Sequence, residues 1–281
     1  MARSQKPIVI ERIYDSLMDS KTGKLSRTVV TNTDVVEAIN WCTKHHNVNL
    51  STSNPANFVK DIIRGKGASG MWPDRLKQLR ISARQVTGDG NVFEFVPYIE
   101  GQTEPFPDRF GYHAKVQRHR IQSISVPLAT KALGRNDETY LIQVAVKLAI
   151  LETHFALFSQ LDVLEIFHLQ IGIKLRRTEI DSLYSATYRR EDGSEAQMIV
   201  TVEAKKKNQR ILEEQIEQQF RAAFTETAVD FVVPVAMTIE SDGIYLAEFK
   251  GISRGELADF SDLELASETL YELVPSVRGI S

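Results

Sequence analysis

Cysteine is nearly absent: Cys42 is the only one in 281 residues, so the chain can form neither an internal disulfide nor a cysteine-based zinc site. Charge of one sign is lacking too. The 34 Lys and Arg stand against 37 Asp and Glu, a formal net charge of -3, so any nucleic-acid partner has to be met by a local basic surface rather than an overall field. No apolar run reaches membrane-spanning length. The most apolar window, residues 141–158, is interrupted by Lys147, Glu152 and His154 and reads as a buried helix. The opening MARSQKPIVIERIYDSL shows no apolar stretch followed by a small-residue cleavage site, and with the cysteine count this sets the expectation of an intracellular protein. Internal repeats and low-complexity tracts are missing as well.

What is present is a globular composition, 42% hydrophobic and 25% charged, in a length that favours two domains. In the N-terminal third, residues 8–18 suit a short helix. Asp34 and Glu37 have capping-box spacing and open a helix ending near His46. Asn54-Pro55 is a second start signal, with Phe58, Ile62 and Ile63 at helical spacing up to Gly65. A third, shorter helix begins at Pro73, where Trp72 reads as its packing anchor. ISARQV and NVFEFV, separated by Thr87-Gly88-Asp89-Gly90, make a hairpin. Three helices and a hairpin in this order are those of a winged helix, in which the third helix enters the major groove. Lys66, Arg75, Lys77, Arg80 and Arg84 then become candidate DNA contacts; an ordinary solvated face would carry the same five. His45 and His46 read as surface residues.

Pro97, Pro105 and Pro107 mark the exit from this unit. Residues 101–136 read as a linker whose Lys115, Arg118, His119 and Arg120 form a basic cluster able to hold phosphates. Residues 137–160 read as one long helix, apolar on most of its circumference, that packs on a sheet. Glu152, late in it, is a possible outer carboxylate for a metal, and His154 an ordinary helix residue.

Residues 176–220 concentrate the chemistry. Side chains alternate along a strand, so Glu203 and Lys205 share one face while Val202 and Ala204 enter the opposite layer. The same period joins Glu179 and Asp181 on the preceding strand, and the acidic, glycine-containing run 191–195 turns one strand into the next. A helix follows over 209–224 with Leu212, Ile216, Phe220 and Ala223 on one stripe. VDFVVPVAMTI is then a further strand, in which Pro234 implies an edge, a bulge or a strand end.

The order helix, acidic strand, strand with Glu-x-Lys, helix, strand resembles the PD-(D/E)XK nuclease core shared by many restriction endonucleases. The resemblance covers residues 137–250, with Ile180-Asp181 at the Pro-Asp position and Glu203-Ala204-Lys205 at the (D/E)XK position; the proline is absent. It implies an α/β catalytic domain over 137–281, a mixed central sheet flanked by helices. It also implies that Asp181, Glu203 and the Ala204 carbonyl bind Mg2+ and that Lys205 orients water and steadies the transition state. Glu179 would add a carboxylate beside the metal, and Gln215 a polar group from the following helix. Residues 1–100 are similar to the winged-helix modules of some type II restriction enzymes.

The expected activity is Mg2+-dependent, sequence-specific hydrolysis of double-stranded DNA leaving 5′-phosphate ends, by a homodimer in a prokaryotic cytoplasm, paired with a DNA methyltransferase for the same site. Two rivals are a repair or defence nuclease reading DNA structure or modification, and a catalytically inactive DNA-binding regulator.

Overall fold

The computed structural model describes residues 4–86, 88–175 and 178–280, whose contacts separate into two units, Met1–Arg109 and Phe110–Ser281. In the first, helix α1 (Lys6–Leu17) buries Val9, Ile10, Ile13, Tyr14 and Leu17 along one stripe, the spacing of a core-facing helix. Strand β1 (Val29–Thr31) runs directly into α2 (Asn32–His46). The α2 capping box is formed by Thr31 and Asp34, one turn earlier than the predicted pair of Asp34 and Glu37, because Asp34 reaches back to the Thr31 N–H at 2.7 Å. The helix ends at His46, as expected.

The predicted second helix is split into a 3-10 turn at Pro55–Asn57 and α3 (Lys60–Arg64), and Asn54 makes no capping hydrogen bond. Helix α4 (Asp74–Gln78) is five residues long. Strands β2 (Ile81–Gln85) and β3 (Asn91–Pro97) pair antiparallel, and β1 adds to β3, giving the order β1-β3-β2. Gly88, Asp89 and Gly90 of the hairpin turn all have positive φ, which glycine adopts without strain; Thr87 lies outside the described residues. Trp72 anchors this unit, donating its indole N–H to the Ile81 carbonyl at 2.8 Å and packing on Phe95 and Phe106.

The second unit is built on a mixed sheet flanked by helices. Its elements are β4 (Gln117–Gln122), α5 (Leu128–Leu133), α6 (Glu138–Lys147), α7 (Ile150–Leu157), β5 (Asp162–Leu175), β6 (Thr178–Arg189), β7 (Glu195–Lys205), α8 (Glu213–Glu226), β8 (Phe231–Glu240), β9 (Gly243–Phe249), β10 (Ile252–Ser253) and β11 (Leu265–Val274). The strand order is β4-β11-β9-β8-β7-β6-β5, with β10 added to β8. Strands β7 and β8 are parallel, which requires a crossover connection, and α8 is that crossover.

Apolar side chains cover both faces. Leu141, Val144, Leu151 and Phe155 of α6 and α7 pack on Val200, Val202 and Ala204. Ile216 and Phe220 of α8 pack on the other face with Ile199 and Ala236.

Two expectations are corrected and a third is narrowed. The single helix over 137–160 is two helices bent by 61°, with Ala149 left-handed at the break, φ 50°; apolar residues and a good helix former run straight through that point, so local propensity hides it. The linker over 101–136 contains β4, which pairs in parallel with β11 from Gln117 to Gln122. Its charged alternation had masked it, and charged residues are usual on an edge strand. Pro234 lies in a central strand, so of the edge, bulge or strand end it implied the edge is excluded and a break in the pairing stands: it falls between the two residues that pair with β10 and the segment from Val235 onward that pairs with β9, where the register shifts by one residue and a missing N–H is tolerated. No single helix among the described residues is long and apolar enough to cross a membrane.

Candidate active site

The antiparallel ladder between β6 and β7 stops at Ser182 and Val202. Beyond it, β6 stays paired with β5 down to Thr178 and β7 stays paired with β8 out to Lys205. A notch is left between the two strands, and Asp181 and Glu203 stand at its head.

In place of the lost ladder bond, the Asp181 carboxylate accepts the Ala204 N–H at 2.7 Å. The N–H and C=O of one strand residue point to the same side, so the Ala204 carbonyl also faces this notch. Glu203 and Lys205 project together toward α8, as strand alternation requires, while Val202 and Ala204 enter the core under α6 and α7.

Glu203 and Lys205 are 4% and 3% exposed. The Lys205 ammonium donates to one oxygen of Glu203 and, at 2.7 Å, to the Gln215 side-chain carbonyl. The other oxygen of Glu203 is held by the Gln219 amide, which also donates to the Glu179 backbone carbonyl at 3.2 Å. Gln219 thus ties β6 to β7 across the notch.

Sequence reading missed Gln219. Its signal was there, because positions 216, 219, 220 and 223 share one side of a helix, and a glutamine on an otherwise apolar stripe needs a buried partner.

The site is short of positive charge. Lys205 offsets one of two carboxylates, the buried Glu203 and the half-buried Asp181, and Glu179 stands nearby. Burial pushes the Asp181 carboxyl from 3.8 up to about 7, and the Glu203 carboxylate adds in the same direction; the Ala204 N–H and the Lys205 charge oppose them. Two acids held this close store a cost that a cation would relieve. Among the described residues no three Asp, Glu, His or Cys side chains converge as a ligand set. The available donors are the two carboxylates and the Ala204 carbonyl. That set suits Mg2+, which is usually bound through one or two carboxylates and keeps several waters.

Helix α7 packs on the opposite face of the sheet, where Glu152 lies near Tyr184. One of its carboxylate oxygens is buried without a hydrogen-bond partner, and burial pushes the group up.

His154 belongs to that face too and proves more than an ordinary helix residue. Its ring bonds Tyr271 at 3.1 Å on one side and Glu248 and Ser267 at 3.2 and 2.8 Å on the other. Ser159 and Ser267 complete the shell of Glu248 at 2.7 and 2.6 Å. Burial pushes Glu248 up, but the hydrogen bonds from His154, Ser267 and Ser159 outweigh it and hold the carboxyl below its usual range.

Comparisons with protein-family models, curated proteins and solved structures return no match.

The basic residues singled out in the sequence are mostly engaged. Arg75 pairs with Asp15, Lys77 with Asp74, Arg84 with Glu94 and Lys66 with Asp108. Arg80 donates to the Gln102 carbonyl and lies over Tyr98. On β4, Arg118 bonds Asp242 and Glu272, and Arg120 bonds Glu272; Lys115, just before the strand, is exposed. Such exposed pairs contribute little, because solvent screens them.

Proposed function

We propose that this protein is a Mg2+-dependent endodeoxyribonuclease on a PD-(D/E)XK core, of the type II restriction kind. The observation that carries this is the notch where the β6–β7 ladder ends, which gathers Asp181, Glu203 and Lys205 with an excess of negative charge. The order α7-β5-β6-β7-α8-β8, with β7 and β8 parallel, supports a restriction endonuclease-like core. The order β1-β3-β2 supports a winged-helix reading of the N-terminal unit, with a short α4 in the place of the recognition helix.

Asp181, Glu203 and the Ala204 carbonyl would hold the ion, which when bound supplies Lewis acidity and lowers the pKa of water. Lys205 orients the attacking water and stabilises charge developing on the phosphate. Gln215 and Gln219 hold the lysine and the glutamate in place. Products carry 5′-phosphates. A homodimer would match a palindromic site with one centre per strand, and a methyltransferase for the same sequence would protect the DNA of the prokaryotic host.

The decisive experiment is digestion of phage and plasmid DNA with purified protein and Mg2+, mapping the ends. Discrete fragments that Lys205→Ala abolishes are expected. No cleavage of any DNA would end the nuclease reading, and cuts that track DNA structure or modification would favour a repair or defence enzyme. The inactive-regulator reading draws on one feature: both Glu203 oxygens are already bound by Lys205 and Gln219. A melting temperature that does not move with Mg2+ would favour it.

DNA binding gives a second prediction. Arg75→Ala and Lys77→Ala should each weaken binding evenly across sequences and flatten the salt dependence by about one phosphate contact. Unchanged salt slopes in a titration would leave both residues as ion-pair partners of Asp15 and Asp74 alone.

A further inference from the structure

The two edges of the large sheet differ. At one end β4 is six residues long and carries Arg118, His119 and Arg120; a short, charged edge resists pairing. At the other end β5 is 14 residues long, contains no proline and exposes Leu164, Phe167 and Leu169 at 40%, 58% and 53%. Val163, Ile166 and Ile171 of the same strand pack on the core. The β5–β6 register slips between Val163 and Glu165 and again between His168 and Gln170. Leu164 and Leu169 are therefore the residues left over by two bulges. Bulges are placed with purpose in sheets, and these two turn apolar side chains outward on the one long edge that β6 alone borders among the described residues.

We propose that the outer edge of β5 is the contact surface for a second copy of this chain, joined antiparallel about a two-fold axis near His168. Charge order along the strand selects this occupant. Asp162 and Glu165 lie in its first third and Lys174 near its end. A two-fold pairing centred on His168 sets Asp162 of one copy opposite Lys174 of the other, and Phe167 opposite Leu169. A parallel pairing would bring like charges together, which is unfavourable. Such a contact is isologous and closes on itself, so it stops at a dimer. Asp162 also pairs with Arg189 at 2.9 Å but remains more than half exposed, open to a second cation. The proposal deepens the nuclease reading, which needs one catalytic centre per DNA strand, yet its measurement requires no cleavage.

The test is sedimentation of the full chain at micromolar concentration. Wild type is expected as a dimer, and Phe167→Asp with Leu169→Asp as a monomer with unchanged circular dichroism and melting, since both side chains are exposed. Lys174→Glu should weaken the dimer about tenfold, and adding Asp162→Lys should restore it. That charge pair decides the matter if the double aspartate variant fails to fold. A monomeric wild type, or a dimer that survives these changes, overturns the proposal. A monomer that cuts DNA would overturn this interface and leave the nuclease; a dimer of this kind that cuts nothing would do the reverse.

Discussion

Replacing Asp181 by Asn should raise the melting temperature of the metal-free protein at pH 8 and, on the nuclease proposal, abolish any response to Mg2+ and any cleavage. Unfolded chains release this proton near 3.8, whereas the folded protein keeps it until about 7. Between those values the folded state binds more protons, so the Asp181 contribution to stability falls as pH rises and levels off above about 7. At pH 8 the ionised side chain therefore costs on the order of 2–4 kcal/mol. Asn removes that charge and still offers an oxygen to the Ala204 N–H.

For a unit of this size the gain corresponds to roughly 5–10 °C in Tm. Wild type in EDTA should lose stability from pH 5 to 8 relative to the variant, and Mg2+ should restore it by binding the native state alone. Cleavage should fall about a thousandfold or more, the several kcal/mol that a Lewis acid contributes. A variant that melts at or below wild type at pH 8 would show that Asp181 and Glu203 are not held in the crowded state described above.

The second large effect lies on the other face of the sheet and concerns stability alone. His154→Ala removes one of the groups that hold the buried Glu248 carboxylate. Breaking a buried pair from one side costs about 3–5 kcal/mol, because the remaining charge stays out of water. Tm should drop by roughly 10 °C or more, read by calorimetry. Changing both partners together to apolar residues of similar volume, His154→Phe with Glu248→Leu, should cost less than His154→Ala. The Glu248 carboxyl is held below its usual range, so its contribution in wild type is present above that range and is lost as pH falls through the depressed value. Cleavage per folded molecule should be unchanged. A His154→Ala protein as stable as wild type would mean that Ser159 and Ser267 suffice to hold Glu248.

Much of the site could be read from local spacing. The two-residue period of a strand is a covalent property of extended backbone, so Glu203 and Lys205 had to share a face and Val202 and Ala204 had to oppose them once β7 was recognised. The buried stripe of α8 and the turn within 191–195 follow from periodicity and turn composition in the same way.

Other features had no local signature. That Glu152 and His154 face away from the acidic pair depends on which side of the sheet α7 packs. That Arg118 and Arg120 sit in a sheet depends on β11, about 150 residues further along. That Gln219 reaches Glu203, and that the β6–β7 ladder ends where Asp181 begins, depends on how β5, β6, β7 and α8 meet in space. The sequence by itself determined which side chains would point together along each strand and helix, because those angles repeat within a few residues. Only the tertiary structure decided which of these faces meet, because a strand's neighbours and a helix's side of the sheet are chosen by contacts between residues far apart in the chain.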